Sequence, residues 1–126
     1  MARILIIDDD ATFGRIMQRK LERAGHQAVV RDGPFGTLNE LKAGSYDLVL
    51  LDVHMPALDG TGLVQLIRGA EDVRRTPIVL CSSMDEDDLH RLAQRVQVDG
   101  YIPKSADLDA VVATLNTVLG RQRARA

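Results

Sequence analysis

Tryptophan is missing from this 126-residue chain, which holds only two tyrosines and two phenylalanines. With so few aromatics there is no platform on which the bases of a single-stranded nucleic acid stack. The formal net charge of -2 argues against non-specific nucleic-acid binding by the domain as a whole. The single cysteine, Cys81, has no partner for an internal disulfide, which fits a reducing, cytoplasmic setting. It closes an apolar run, where a thiol serves as a small core residue. No apolar stretch approaches the ~20 residues that cross a bilayer, and Met1-Ala2-Arg3 leads straight into a strand rather than a signal peptide. What remains is 45% hydrophobic and 27% charged, ordinary for one soluble domain with a single core.

Four short apolar runs each end in a polar group. They are Ile4-Leu5-Ile6-Ile7 before Asp8-Asp9, Leu48-Val49-Leu50-Leu51 before Asp52, Ile78-Val79-Leu80-Cys81 before Ser82, and Gly100-Tyr101-Ile102 before Pro103-Lys104. Continuous runs of this kind predict strands buried on both faces, as in a parallel sheet covered by helices. Gln27-Ala28-Val29-Val30 supplies a fifth strand. Helical spacing recurs between the strands. Phe13, Ile16, Met17, Leu21 and Ala24 precede Gly25, and a weaker stripe (Phe35, Leu38, Leu41) over residues 35–43 ends at Gly44. Leu63, Val64 and Ile67 follow a loop over residues 54–60, and Leu89, Leu92, Ala93 and Val96 follow the fourth strand. The clearest amphipathic pattern is the last: Leu108, Val111, Val112, Leu115, Val118 and Leu119. Five βα units with short links predict an α/β fold. The expected form is a flavodoxin-like three-layer sandwich, with a five-stranded parallel sheet of order 2-1-3-4-5 and five helices. The fifth strand then lies at an edge, where Pro103 is tolerated without an amide hydrogen. Residues 1–120 form the domain, and the basic tail 121–126, with Arg121, Arg123 and Arg125, is expected to be disordered.

In such sheets ligands bind beyond the carboxyl ends of the strands. The strand order makes Asp8, Asp9 and Asp52 neighbours and brings Ser82 and Lys104 to the same end. Three carboxylates this close repel one another unless a cation sits among them. Oxygen ligands without a cysteine or histidine cluster favour Mg²⁺, which takes one or two carboxylates, several waters and phosphate oxygens. Aspartates after strands also cap helices, a role that covers Asp10 and Asp59 but not both Asp8-Asp9 and Asp52. Lys104 is placed to neutralise a phosphoryl oxygen, although a lysine at a strand end is commonly just solvated. Ser82 suits either a phosphoryl oxygen or the cap of the following helix, where Ser83 competes. Asp85, Glu86, Asp87 and Asp88 complement the positive end of that helix.

Asp8-Asp9, Asp52-Val53-His54-Met55-Pro56 with Asp59-Gly60, Ser82 after its strand, and Tyr101-Ile102-Pro103-Lys104 resemble the receiver domain of two-component response regulators. The likeness runs from Arg3 to about Leu119, with four motifs in order at the matching strand ends. The resemblance implies that Asp52 is the phosphoacceptor, attacking the phosphoryl group of a histidine kinase phosphohistidine, a phosphotransfer protein or a small acyl phosphate. It further implies Mg²⁺ held by Asp9, Asp52 and the backbone carbonyl of His54, with Asp8 acting through water. Ser82 and Lys104 would bind phosphoryl oxygens, and Tyr101 would turn inward as the Ser82 hydroxyl moves. The surface of the fourth helix, fifth strand and fifth helix would then control a downstream partner or a fused output domain.

Ser82 departs from the commoner threonine but keeps the hydroxyl. Ser105 replaces the proline that usually follows the lysine through a cis bond; a cis Lys104-Ser105 bond would cost about 3 kcal/mol. The Ile102-Pro103-Lys104-Ser105 variant resembles receivers that carry a LuxR-type helix-turn-helix output domain, so the chain is expected to be a stand-alone receiver or one cut from a longer protein. Two other classes compete. An adaptor that keeps the fold without phosphorylation would lose Asp9, Asp52 or Lys104. A haloacid-dehalogenase-type phosphatase would carry Asp-x-Asp and a cap domain, whereas here His54 stands two residues beyond Asp52.

Overall fold

In a computed structural model, which describes residues 1–55 and 59–125, β1 (Arg3–Ile7) leads into α1 (Ala11–Arg23). There follow β2 (Gln27–Arg31), α2 (Thr37–Ala43), β3 (Leu48–Asp52), α3 (Gly60–Gly69), β4 (Ile78–Ser82), α4 (Glu86–Val96), β5 (Gly100–Pro103) and α5 (Leu108–Arg125). All pairings are parallel, in the order β2-β1-β3-β4-β5. This is the flavodoxin-like order expected from the apolar runs.

Alternation along each strand divides the core into two layers. Leu5, Ile7, Val49, Leu51, Ile78 and Leu80 face α2, α3 and α4, meeting Leu41, Leu63, Val64, Ile67, Leu89 and Leu92. Ile4, Ile6, Leu48, Leu50, Val79 and Cys81 face α1 and α5, meeting Met17, Leu21, Val111, Leu115 and Val118. Every residue of β3 and β4 is buried, so these central strands have no polar face. Each fully buried Leu or Ile contributes about 1.5–3 kcal/mol relative to exposure.

Three expectations are corrected. Ile16 and Ala24 lie on the exposed side of the first helix and its end, while Gly14 takes an inward position. Phe35 does not start α2 or enter its core. The helix begins at Thr37, because Gly36 before it has φ +81 and turns the chain out of helical geometry; Phe35 is left 73% exposed. Residues 121–125 of the segment expected to be a disordered tail are helical, since α5 continues to Arg125; Ala126 lies outside the described residues. Gly120 weakens that helix, but arginine, glutamine and alanine favour it, and extending a formed helix avoids a new nucleation cost.

Candidate functional site

The carboxyl ends of β1, β3, β4 and β5 bring Asp8, Asp52, Ser82 and Lys104 together. Asp8 follows β1 and is 1% exposed; its amide donates to the Arg31 carbonyl at 3.1 Å. One Asp8 carboxylate oxygen accepts the Asp10 amide at 2.9 Å, and the other meets Lys104 Nζ at 2.9 Å. Asp52 ends β3, is 4% exposed, accepts the His54 amide at 3.3 Å and lies 3.7 Å from the same ammonium. Asp9 is exposed, and oxygens of Asp8, Asp9 and Asp52 all lie within 4.8 Å of one another. Lys104 also stands 4.6 Å from the centroid of the Phe13 ring, and its amide donates to the Ser82 carbonyl at 2.8 Å.

Capping follows expectation for α1 and α3, whereas α4 is capped by Asp85 rather than by Ser82 or Ser83. Asp10 caps α1, accepting the Thr12 and Phe13 amides at 3.1 Å each. Asp59 caps α3 through the Gly62 amide at 2.9 Å, and Asp85 caps α4 through the Asp87 and Asp88 amides. Ser82 is therefore not the cap of α4. Its side chain is buried, with Oγ accepting the Met84 amide at 3.2 Å. Tyr101 is half-buried, its ring stacked on His90 with centroids 5.0 Å apart. His54 is exposed and Met84 half-buried. Among the described residues no peptide bond is cis, so Lys104-Ser105 is trans. Pro56, part of the motif after Asp52, lies outside the described residues.

The electrostatics follow from burial. Loss of solvent, then the Asp8 charge, push the Asp52 carboxyl up to about 7 against the pull of Lys104. Burial works against the Lys104 ammonium, yet the hydrogen bond and charge of Asp8, followed by Asp52, hold it above the ordinary lysine value. Burial pushes the Cys81 thiol up to about 12, as befits a core residue. Three carboxylates against one ammonium leave an excess of two negative charges, the complement of a divalent cation. The all-oxygen donor set suits magnesium.

Gly60 holds the carboxyl end of β3 against α3. Its amide donates to the Val53 carbonyl at 2.8 Å, and a Cβ there would stand 2.7 Å from the Asp52 carbonyl oxygen and 2.9 Å from the Val53 Cα. Backbone cannot yield as a side chain can. Gly60→Ala is therefore expected to destabilise the fold by about 1–3 kcal/mol in urea titrations. An unchanged midpoint would show that α3 shifts without cost. Sequence reasoning missed the Phe13 contact with Lys104, because helical spacing marks Phe13 only as core. It also missed the Arg31–Glu40 ion pair at 3.2 Å, to which the Tyr46 hydroxyl adds a 2.8 Å bond.

The model of the response regulator receiver domain matches residues 4–116. The transcriptional regulatory protein PcoR of Escherichia coli is 32% identical over 126 residues, covering 100% of this chain and 55% of that protein. The chain thus spans about half the length, or less, of the first curated relatives it matches. The BeF3-activated N-terminal receiver domain of Klebsiella pneumoniae RstA superposes with a TM-score of 0.84 at 29% identity, covering 93% of this chain and 97% of that one. The receiver domain of Francisella response regulator 1452 shares the fold at a TM-score of 0.87 and 24% identity, covering 97% of this chain and 99% of that one.

Proposed function

The chain belongs to the response regulator receiver domain family, and from that membership we propose that it is a phosphoacceptor switch with Asp52 as the acceptor. One observation carries this reading: Asp8, Asp9 and Asp52 converge, with a single ammonium 2.9 Å from Asp8 and 3.7 Å from Asp52. An Asp52 carboxylate oxygen attacks phosphorus. The bond to the imidazole nitrogen of a phosphohistidine breaks, and its electron pair leaves with the imidazole. Little covalent chemistry falls to the protein, so positioning and charge dominate. Lys104 binds one phosphoryl oxygen, and the Ser82 hydroxyl donates its hydrogen to another.

Receiver domains of this family use Mg²⁺ at an acidic site. Here Asp9, Asp52 and the His54 carbonyl would hold it, with Asp8 reached through water. Bound there, the ion offsets the charge of the carboxylates and of the incoming phosphoryl oxygens. Labelling from acetyl phosphate is expected only with Mg²⁺. Asp9→Ala should weaken apparent Mg²⁺ affinity at least about tenfold, equivalent to ~1.4 kcal/mol. Equal labelling in excess chelator would overturn the metal assignment.

The signal leaves through α4, β5 and α5. When Ser82 is drawn to the phosphoryl group, space opens behind β4, and Tyr101 can exchange its stack on His90 for that space. The equilibrium between the two positions exists before phosphorylation and is shifted by it. His54 and Met84 flank the path of attacking water; both are bulky, and Met84 offers no group to orient it, which favours slow dephosphorylation. The domain thus promotes its own phosphorylation and dephosphorylation as a signal, not as turnover. The phosphodonor is a histidine kinase or phosphotransfer protein, and the reader of the switch is a downstream protein or a fused output domain. Among the described residues no helix is long and apolar enough to cross a membrane. A chain with a lone, buried cysteine and no internal disulfide suits a cytoplasmic place.

A further inference from the structure

Three of the four aromatic side chains have internal partners. Phe13 lies against Lys104 at 4.6 Å, Tyr46 lies under Arg3 at 4.6 Å, and Tyr101 stacks on His90 at 5.0 Å. Phe35 has no such partner among the described residues and is 73% exposed. A single exposed apolar residue is ordinary, but two features set this one apart.

The first is a pinned backbone. Pro34 before it is buried, and its carbonyl accepts the Thr37 amide at 3.3 Å. The Phe35 carbonyl accepts from the Arg31 guanidinium at 3.1 Å, and Glu40 holds the same guanidinium at 3.2 Å. Gly36 turns at φ +81, where a Cβ would come 2.6 Å from that guanidinium. The ring therefore projects from a fixed turn, and covering it costs little backbone freedom.

The second is place. Arg31 pairs with Ile7, Ile7 pairs with Leu51, and the Arg31 carbonyl accepts the Asp8 amide at 3.1 Å. With adjacent strands ~4.8 Å apart, the end of β2 lies roughly 10 Å across the sheet from the end of β3. A standard interface covers ~800 Å² on each partner, a disc of about 16 Å radius. Centred on Asp52, such a disc takes in the end of β2, whose Arg31 guanidinium holds the Phe35 carbonyl at 3.1 Å. A shallow cleft lined by Ala11, Arg15, Val30, Arg31 and Asp32 flanks the end of β2 beside the start of α1.

We propose that Phe35 is an apolar anchor for the protein phosphodonor, received by an apolar side chain on the donor surface around its phosphohistidine. The inference rests on the phosphoacceptor reading above. Aromatic rings that an interface buries are enriched among the few residues that carry most of its affinity. A small acyl phosphate has no surface that reaches the turn, so Phe35 separates the two kinds of donor.

In the test, each purified histidine kinase of the source organism, labelled from radioactive ATP, is mixed with the chain, and the fastest donor is kept. Phe35→Ala is expected to raise the receiver concentration for half-maximal transfer by roughly tenfold or more, with the maximal rate little changed. Phe35→Trp should restore it, and labelling of both variants from acetyl phosphate should match the unaltered chain. Unchanged transfer from the kinase overturns the anchor, as does an equal loss with both donors. Acetyl phosphate labelling without transfer from any kinase overturns it too. A shift in sedimentation of Phe35→Ala from dimer to monomer would assign the surface to a second copy instead. Failure of acetyl phosphate to label the unaltered chain strikes the phosphoacceptor reading itself.

Discussion

Asp52→Asn is expected to reduce phosphorylation by acetyl phosphate to background, the largest functional effect of any single change at the site. The substitution keeps the shape of the side chain and replaces the anionic carboxylate with a neutral, non-nucleophilic amide. Its neighbours are poor substitutes. Asp8 is 1% exposed, with one oxygen held by the Asp10 amide at 2.9 Å and the other by Lys104 at 2.9 Å. Asp9, although its carboxylate lies within 4.8 Å of Asp52, is exposed to solvent rather than enclosed at the strand end. Intact mass spectrometry, before and after acid treatment, counts the labile phosphate directly. Labelling of Asp52→Asn at the stoichiometry of the unaltered chain would remove Asp52 from the mechanism.

The strands and the meeting of their ends were legible because β3 and β4 have no polar face, so their apolar runs are uninterrupted and their ends abrupt. Asp52 and Ser82 stand out as the polar residues at which those runs stop. Contacts made through space were not legible. Nothing in the spacing of Phe13 links it to Lys104, ninety-one positions away, which it meets at 4.6 Å. The Phe35 error has a local cause: a period of apolar residues does not register the left-handed turn at Gly36, which breaks the frame one residue before Thr37. The end of α5 was misread for the opposite reason. Its arginines indicate solvation, and solvation does not forbid a helix already nucleated by Leu115, Val118 and Leu119.

The second large effect is on stability, and its sign is unusual: without metal, Asp52→Asn should be more stable than the unaltered chain at high pH. Burial and the Asp8 charge raise the Asp52 carboxyl from 3.8 to about 7. Between those values the folded protein keeps a proton that the unfolded chain has released. Stability linked to this group is therefore fully present below 3.8 and is lost as pH rises through about 7. A shift of about three units, at ~1.4 kcal/mol per unit, corresponds to a penalty of at most on the order of 4 kcal/mol for the ionised form. The asparagine variant never carries that charge. In excess chelator its thermal midpoint should exceed that of the unaltered chain by roughly 10 °C at pH 8, at ~3–4 °C per kcal/mol for a domain of this size. The gap should close as pH falls toward 3.8, below which Asp52 is protonated in both folded and unfolded chains. Added Mg²⁺ should narrow it from the other side, because binding to the folded form stabilises the chain that has the full set of carboxylates. The acceptor would then be a residue held against its own electrostatic preference by the packing of β3, with metal relieving the strain. A gap independent of pH, or one of opposite sign, would mean that Lys104 already compensates the buried charge in full.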